Sequence, residues 1–301
     1  MDRQQPQSGV AEQLESLVRR ILAPNPSPMT YWGTNTYIVG ETQLAVIDPG
    51  PENENHLNAI MAAVGDGQQI SHIVVTHAHV DHSLGAARLS QMTGALVYAY
   101  GAADRGQSDL MRRLRADGLT SGGEGVDNDF MPDVQLEDGG QIIGDNWTLD
   151  VIWTPGHISN HVCLALNDAV FSGDHVMEWA TSIVSPPDGD VGAFLESCGK
   201  LKHRNDRIYY PGHGLPVLEP AKRCQWLIDH RRQRESQILE VLGDGPQTPM
   251  QIVMKIYRDI PDALYPAAER NVFAHLIDLD ERGRVTSQGP MSSRATFSLV
   301  G

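Results

Sequence analysis

One heptad, Thr76-His77-Ala78-His79-Val80-Asp81-His82, limits what this chain of 301 residues can be more than any other stretch of it. Three imidazoles and a carboxylate fall within seven positions, directly after the apolar run Ile73-Val74-Val75. That grouping points to a shared cation. Imidazole nitrogen and carboxylate oxygen suit zinc or a related transition metal, whereas calcium or magnesium would take oxygen throughout. His77 and His79, two apart at the end of an extended segment, project to one side. A turn then brings Asp81 and His82 to the start of the next helix, within reach of a second position beside the first. The heptad therefore reads as a site for two metals, against the competing reading of a polar loop that is merely rich in histidine.

Later strand ends repeat the theme. A strand at Leu149 to Trp153 gives way to Thr154-Pro155-Gly156-His157, a hairpin at Val162 to Phe171 ends in Ser172-Gly173-Asp174-His175, and a strand at Ile208 to Tyr210 ends in Pro211-Gly212-His213-Gly214. Each histidine or aspartate means little alone, but their recurrence beside glycine at strand ends argues for one converging site built from His77, His79, Asp81, His82, His157, Asp174 and His213. Asp48 also closes a strand, and either holds its own turn or orients a ligand histidine. His161 and His175 neighbour the candidate ligands. Each is expected to brace a ligand, to serve as an acid toward the leaving group, or to be purely structural. His56 and His72 lie outside any cluster and read as ordinary surface or packing residues.

The chain divides at about residue 225. In residues 1–225, strands alternate with helices, which predicts helices packed on sheet. Val10, Leu14, Leu17, Val18 and Ile21 have helical spacing and predict an amphipathic opening helix. Ala102 to Asp133 breaks the rhythm with a basic helical patch (Arg112, Arg113, Arg115), the flexible stretch Ser121-Gly122-Gly123-Glu124-Gly125 and acidic residues; such a segment is either a mobile loop or a lid, and a lid shaping substrate access is the expectation. Residues 226–301 read as three short helices and a hairpin, the pattern of a winged helix. The helix predicted at Ala267 to Glu281 is the one that would enter a DNA major groove. It carries mixed charges, so sequence-specific DNA binding is not expected and packing against the first domain or a partner is.

Charge and composition narrow the classes further. Net charge is −15, from 23 basic and 38 acidic residues, which disfavours a chain-wide grip on nucleic acid. Cys163, Cys198 and Cys224 are odd in number and unpaired by spacing, so neither a disulfide framework nor a thiolate site is indicated. The polar first residues and the lack of a long apolar run lead us to expect a soluble cytoplasmic protein that does not engage membranes. The chain is compatible with a homodimer.

These residues together resemble the metallo-β-lactamase superfamily over about residues 30 to 215, on Asp48, the heptad at 76–82, His157, Asp174 and His213. The resemblance is strongest to the β-lactamase-like endoribonuclease branch, on Gly33-Thr34-Asn35-Thr36-Tyr37, Pro211-Gly212-His213-Gly214 and the pattern Asn271-Val272-x-x-His275-Leu276. It implies an α+β fold, a four-layer αββα sandwich followed by a small winged-helix domain. It also implies that His77, His79 and His157 hold one metal, that Asp81, His82 and His213 hold the other, and that Asp174 bridges them. Zinc, two ions per chain, is the expected cofactor, and iron or manganese suits the same ligand set. Asp174 argues against a dedicated β-lactamase. Ile158 departs from the family, which often has threonine after the histidine, and so removes a hydroxyl able to orient either substrate or backbone.

The expected reaction is hydrolysis by a hydroxide bridging two metals, with Asp81 and His161 as the catalytic candidates. No GxSxG nucleophile elbow competes for the role. The resemblance implies single-stranded RNA as the substrate, whereas the acidic first domain favours a small ester, thioester or lactone, as in a thioesterase or a glyoxalase II-like enzyme. An interaction protein with a vestigial site is the reading from another class.

Overall fold

Two sheets pack face to face. The computed structural model describes residues 5–120, 125–258 and 260–301. Among them the first sheet runs in chain order through β1 (Glu12–Glu15), β2 (Val18–Leu22), β3 (Asn35–Val39), β4 (Gln43–Ile47), β5 (Gln69–Val74), β6 (Leu96–Ala99) and β7 (Val134–Gln135). Pairing is antiparallel from β1 to β4 and parallel from there to β7. The second sheet has the order β12 (Ile208–Pro211), β11 (Ala169–Gly173), β10 (Val162–Leu166), β9 (Thr148–Trp153), β8 (Gln141–Ile143). Only its β11–β12 pair is parallel.

Parallel neighbours need crossovers, and helices supply them. α1 (Glu54–Ala62) links β4 to β5, α2 (Val80–Ser83) and α3 (Gly85–Thr93) link β5 to β6, and α5 (Val191–Lys202) links β11 to β12. Strand alternation then sorts side chains into layers. Tyr37, Val39 and Ile47 face Leu149, Leu164 and Phe171 across the sheet interface, while Ile38, Val46 and Ile73 pack outward on Leu57, Ile60 and Leu89. On the far side Cys163, Val170 and Tyr209 meet Phe194, Cys198 and Leu201 of α5. The result is the four-layer αββα sandwich, and the three cysteines are free and buried within it.

The opening segment is not a helix. It forms β1 and β2, with Val18 in the inter-sheet core and Ile21 in the layer beneath the helices. A strand covered on both faces needs apolar residues on both, and their spacing then imitates a helical stripe.

α6 (Pro220–Gly243) continues across position 225 into the C-terminal unit of α7 (Pro249–Ile256), α8 (Tyr265–Glu281) and the hairpin β13 (Val285–Gln288) and β14 (Thr296–Leu299). Thr248 and Gln251 form a reciprocal capping box that starts α7 at Pro249. The basic helical patch expected within the lid is α4 (Asp109–Ala116), which packs on the C-terminal unit. Met111 and Leu114 of that helix join the C-terminal core with Ile238, Leu242 and Leu276, and Arg113 pairs with Glu281 at 3.1 Å. Ser121 to Glu124, the rest of the expected lid's flexible stretch, lie outside the described residues. No helix among the described residues is long and apolar enough to cross a membrane.

Candidate metal centre

Strand ends from both sheets meet at one edge of the sandwich. β5 leads into His77 and His79, α2 carries Asp81 and His82, and β9, β11 and β12 lead into His157, Asp174 and His213. The seven side chains that the sequence singles out are brought together here. Three groups of side chains could each hold an ion: His77 with His79 and His157, His77 with His82 and Asp174, and Asp81 with His82 and His213. The His157 Nε2 lies 3.0 Å from His79 Nδ1, and His213 Nε2 lies 3.2 Å from both Asp81 Oδ2 and Asp174 Oδ2.

Hydrogen bonds behind the cluster choose which ring nitrogen faces inward. Asp48, in the left-handed region with φ 51°, accepts the Thr76 amide at 2.7 Å, the Thr76 hydroxyl at 2.8 Å and the His82 Nδ1–H at 2.9 Å. Because the single proton of Thr76 goes to Asp48, the 2.9 Å contact between Thr76 Oγ1 and His77 is donated by His77 Nδ1–H. His157 Nδ1–H donates to Ile183 O at 2.6 Å and His213 Nδ1–H to Gly33 O at 3.2 Å. His77, His82, His157 and His213 thus turn Nε2 toward the cluster, and His79 offers Nδ1. His77 Nε2 is fully buried without a hydrogen-bond partner among the described residues. An orphaned, inward-facing lone pair among carboxylates is what a cation satisfies, so the donor set fits a transition-metal site.

Electrostatics divides the cluster. Burial holds His77 well below the ordinary imidazole pKa, and burial followed by the neighbouring His157 holds His79 down to about 3. These rings are neutral, the form that binds metal. His82 and His213 behave oppositely. Burial lowers both, but Asp81 and Asp174 outweigh it, raising His82 well above its ordinary value and His213 to about 9. Burial would raise Asp81 and Asp174, yet the same histidines hold both carboxyls well below the usual range.

Close approach demands glycine at position 212, where a Cβ would lie 2.4 Å from Asp174 Oδ1 and 2.7 Å from His82 Cε1. The Gly-Thr-Asn-Thr segment, noticed in the sequence without a role, braces the site. Thr34 Oγ1 donates to Asp81 Oδ2 at 3.0 Å, Asn35 Nδ2 donates to Pro211 O and Gly214 O at 3.0 Å each, and Thr36 Oγ1 donates to Asp48 O at 2.6 Å.

His161 does not face the cleft. It is fully buried, with Nδ1 on Thr154 Oγ1 at 2.9 Å and Nε2 accepting the Asp174 amide at 3.2 Å, so it fixes the backbone of Asp174 and has no free proton to deliver to a leaving group. His175 is buried against Phe194 and faces Cys198. His56 is buried and bound to Thr36, while His72 packs against Tyr98 and Trp147, so of the surface and packing roles read for them both take packing. Ile158 is fully buried.

Comparison with known proteins agrees with this geometry. The metallo-beta-lactamase superfamily profile matches residues 29–213, and that of the beta-lactamase associated winged helix domain matches residues 248–292. A relative from Drosophila melanogaster named beta-lactamase-like protein 2 homolog is 31% identical over 287 residues, 90% of each chain. A protein of Aspergillus fumigatus named atrochrysone carboxyl ACP thioesterase is 28% identical and covers 82% of this chain and 76% of its own length. Among solved structures, a beta-lactamase domain protein from Burkholderia ambifaria superposes with a TM-score of 0.81 at 20% identity, over 99% of this chain and 96% of the other. Another, solved in a di-iron-bound form, is 26% identical with a TM-score of 0.50, over 65% of this chain and 94% of the other. The chain belongs to the metallo-β-lactamase superfamily of metal-dependent hydrolases and carries that family's associated winged-helix domain behind the hydrolase sandwich.

Proposed function

We propose that this chain holds two transition-metal ions and hydrolyses an acyl ester or thioester. His77, His79 and His157 would hold one ion and Asp81, His82 and His213 the other, with Asp174 available to both. The buried, partnerless His77 Nε2 and the convergence of the remaining donors support the assignment. Zinc suits the nitrogen and oxygen ligands, and so does iron, which a structural relative binds as a pair. Ions so placed would lower the pKa of a shared water to about 7 and polarise the electrophilic oxygen.

The protein's own part is positioning. Asp48 and Thr76 set His82 and His77, Thr34 sets Asp81, and His161 sets Asp174. The Asp81 side chain is 22% exposed against 11% for Asp174, so substrate approaches over Asp81.

The observation that carries the substrate class is that, among the described residues, several cations on the segments around the site are engaged within the protein. Arg105, Arg112, Arg113, Arg115 and Lys200 are each paired with a carboxylate, and Arg223 is engaged by the carbonyls of Met177 and Ala180. A polyanionic strand needs a basic track, whereas an acyl substrate does not. The relative named as a thioesterase supports the same reading.

One observation favours single-stranded RNA instead. Tyr31, which is exposed, stacks with the half-buried Trp32 at 4.4 Å and Trp179 at 4.7 Å, on the loop whose Gly33 carbonyl holds His213, and aromatic rings beside a site are surfaces on which bases stack.

A panel decides between them: an acyl thioester, p-nitrophenyl acetate, bis-p-nitrophenyl phosphate and single-stranded RNA, offered to metal-loaded wild type and Asp81→Ala. Thioester turnover that the variant loses supports the proposal. RNA cleavage without thioester turnover overturns it in favour of the second reading, and full metal occupancy without turnover of any substrate points to a vestigial scaffold.

A further inference from the structure

The pattern Asn271-Val272-x-x-His275-Leu276 on α8 stands outside the metal cluster and leads to it through one loop. Ile183 O accepts the His157 Nδ1–H at 2.6 Å and thereby turns His157 Nε2 inward. On one side of Ile183, the Ser182 carbonyl accepts from Arg231 Nη2 of α6. On the other, the Val184 amide donates to Asn271 Oδ1 at 3.3 Å. Arg231 Nη1 donates to the same Asn271 oxygen at 2.8 Å, closing the network. Ser182 also reaches the second half of the site, since its hydroxyl contacts Asp174 O and lies 3.1 Å from His175 O.

Stability alone does not call for this arrangement. Arg231 is buried, its hydrogen bonds go to neutral oxygens, and its guanidinium lies 5.1 Å from the Phe194 ring centroid. A guanidinium desolvated without a carboxylate is costly, and an apolar side chain would fill the space at lower cost. What the cation supplies is a fork with two fixed directions, one to the loop and one to Asn271. His275, one helical turn beyond Asn271, is buried beside it with neither ring nitrogen hydrogen-bonded among the described residues.

We infer that Arg231 and Asn271 are positioning residues through which the C-terminal domain sets the orientation of His157 and the backbone of Asp174, so that metal affinity at the hydrolase edge depends on the winged-helix domain being docked. The inference rests on the metal-site assignment above and is independent of the substrate class. Partners that orient metal ligands are typically worth about 10- to 100-fold in affinity.

The test uses the full chain titrated with Co2+, following d–d absorption and competition with a chelator. Asn271→Ala is expected to weaken binding of one cobalt of the two by roughly 10- to 100-fold and to shift its absorption. Asn271→Asp keeps the acceptor oxygen and is expected to bind as wild type. Glu281→Ala, which removes the Arg113 pair between α4 and α8 far from the loop, is the control and is expected to change neither. If Asn271→Ala does not fold, Arg231→Lys, which cannot reach both acceptors as a fork, takes its place with the same expectation. Wild-type cobalt affinity and spectrum in a folded Asn271→Ala or Arg231→Lys would overturn the inference, as would equal weakening in Asn271→Ala and Asn271→Asp. A wild type that binds no cobalt would instead defeat the underlying metal-site assignment.

Discussion

Thr76 Oγ1 and His77 Nδ1 lie 2.9 Å apart, and the proton between them belongs to the imidazole, because the hydroxyl has already given its own to Asp48. That contact decides the tautomer of His77 and leaves its Nε2 lone pair facing the cluster. Thr76→Val keeps the β-branched shape while removing the acceptor. We expect metal affinity to fall about 10-fold or more, with the fold retained, by chelator competition and circular dichroism. Unchanged affinity would show that the tautomer is fixed by something other than Thr76.

His56 gives a pH dependence of stability that is separable from the metal. Its Nε2–H donates to Thr36 Oγ1 at 2.8 Å, Nδ1 is buried without a partner among the described residues, and burial lowers its pKa from 6.5 to about 4. Between those values the unfolded chain binds a proton that the folded chain does not, so stability falls as pH drops from 6.5 toward 4. The loss reaches about 3 kcal/mol. Urea unfolding of His56→Leu across this window should show a flatter pH dependence than wild type, by that amount. Parallel profiles would contradict the assignment.

Metal binding should release protons. In the metal-free cluster His213 is held up to about 9, against the effect of burial, by Asp174 and then Asp81, and His82 is also raised. Incoming cations must displace those protons, so affinity should rise with pH until His213 loses its proton near 9. Calorimetric titration at pH 7 in buffers of different ionisation enthalpy should report at least one proton released per chain filled. A heat independent of buffer would contradict this.

Trp179 lies against the His213 loop, where a Cβ on Gly214 would come within 2.6 Å of its Cδ1, and it stacks on Tyr31. If this aromatic wall receives the substrate, Trp179→Ala should raise KM several-fold for the true substrate class, with metal stoichiometry unchanged. A lost base stack alone corresponds to about 1–3 kcal/mol. Equal kinetics for every substrate would remove the wall from recognition.

Much of the site was legible because its ligands sit at strand ends beside glycine, where a short sequence window shows both the chemistry and the turn. What lay outside such windows was not. The bracing of Asp81 by Thr34 and of the His213 loop by Asn35 joins residues more than 40 positions apart, and nothing in a local pattern announces a hydrogen bond across that distance. His161 read as an acid candidate because it neighbours His157, but neighbours on a buried strand end can face opposite ways, and this one faces the Asp174 backbone. Val10 to Ile21 failed for a different reason, since its apolar spacing suits either a helix or a strand buried on both faces. The segment 102–133 looked irregular because the core that α4 enters is assembled from residues more than 100 positions later.

The central claim is that the seven side chains at the sandwich edge hold a pair of cations. Metal analysis of purified wild type and Asp174→Ala after reconstitution with Zn2+ and gel filtration tests it most directly. Two equivalents of zinc per chain in wild type, with at least one lost in the variant, is the predicted result. A wild type that leaves the column free of metal, or a variant that retains both ions, would contradict it.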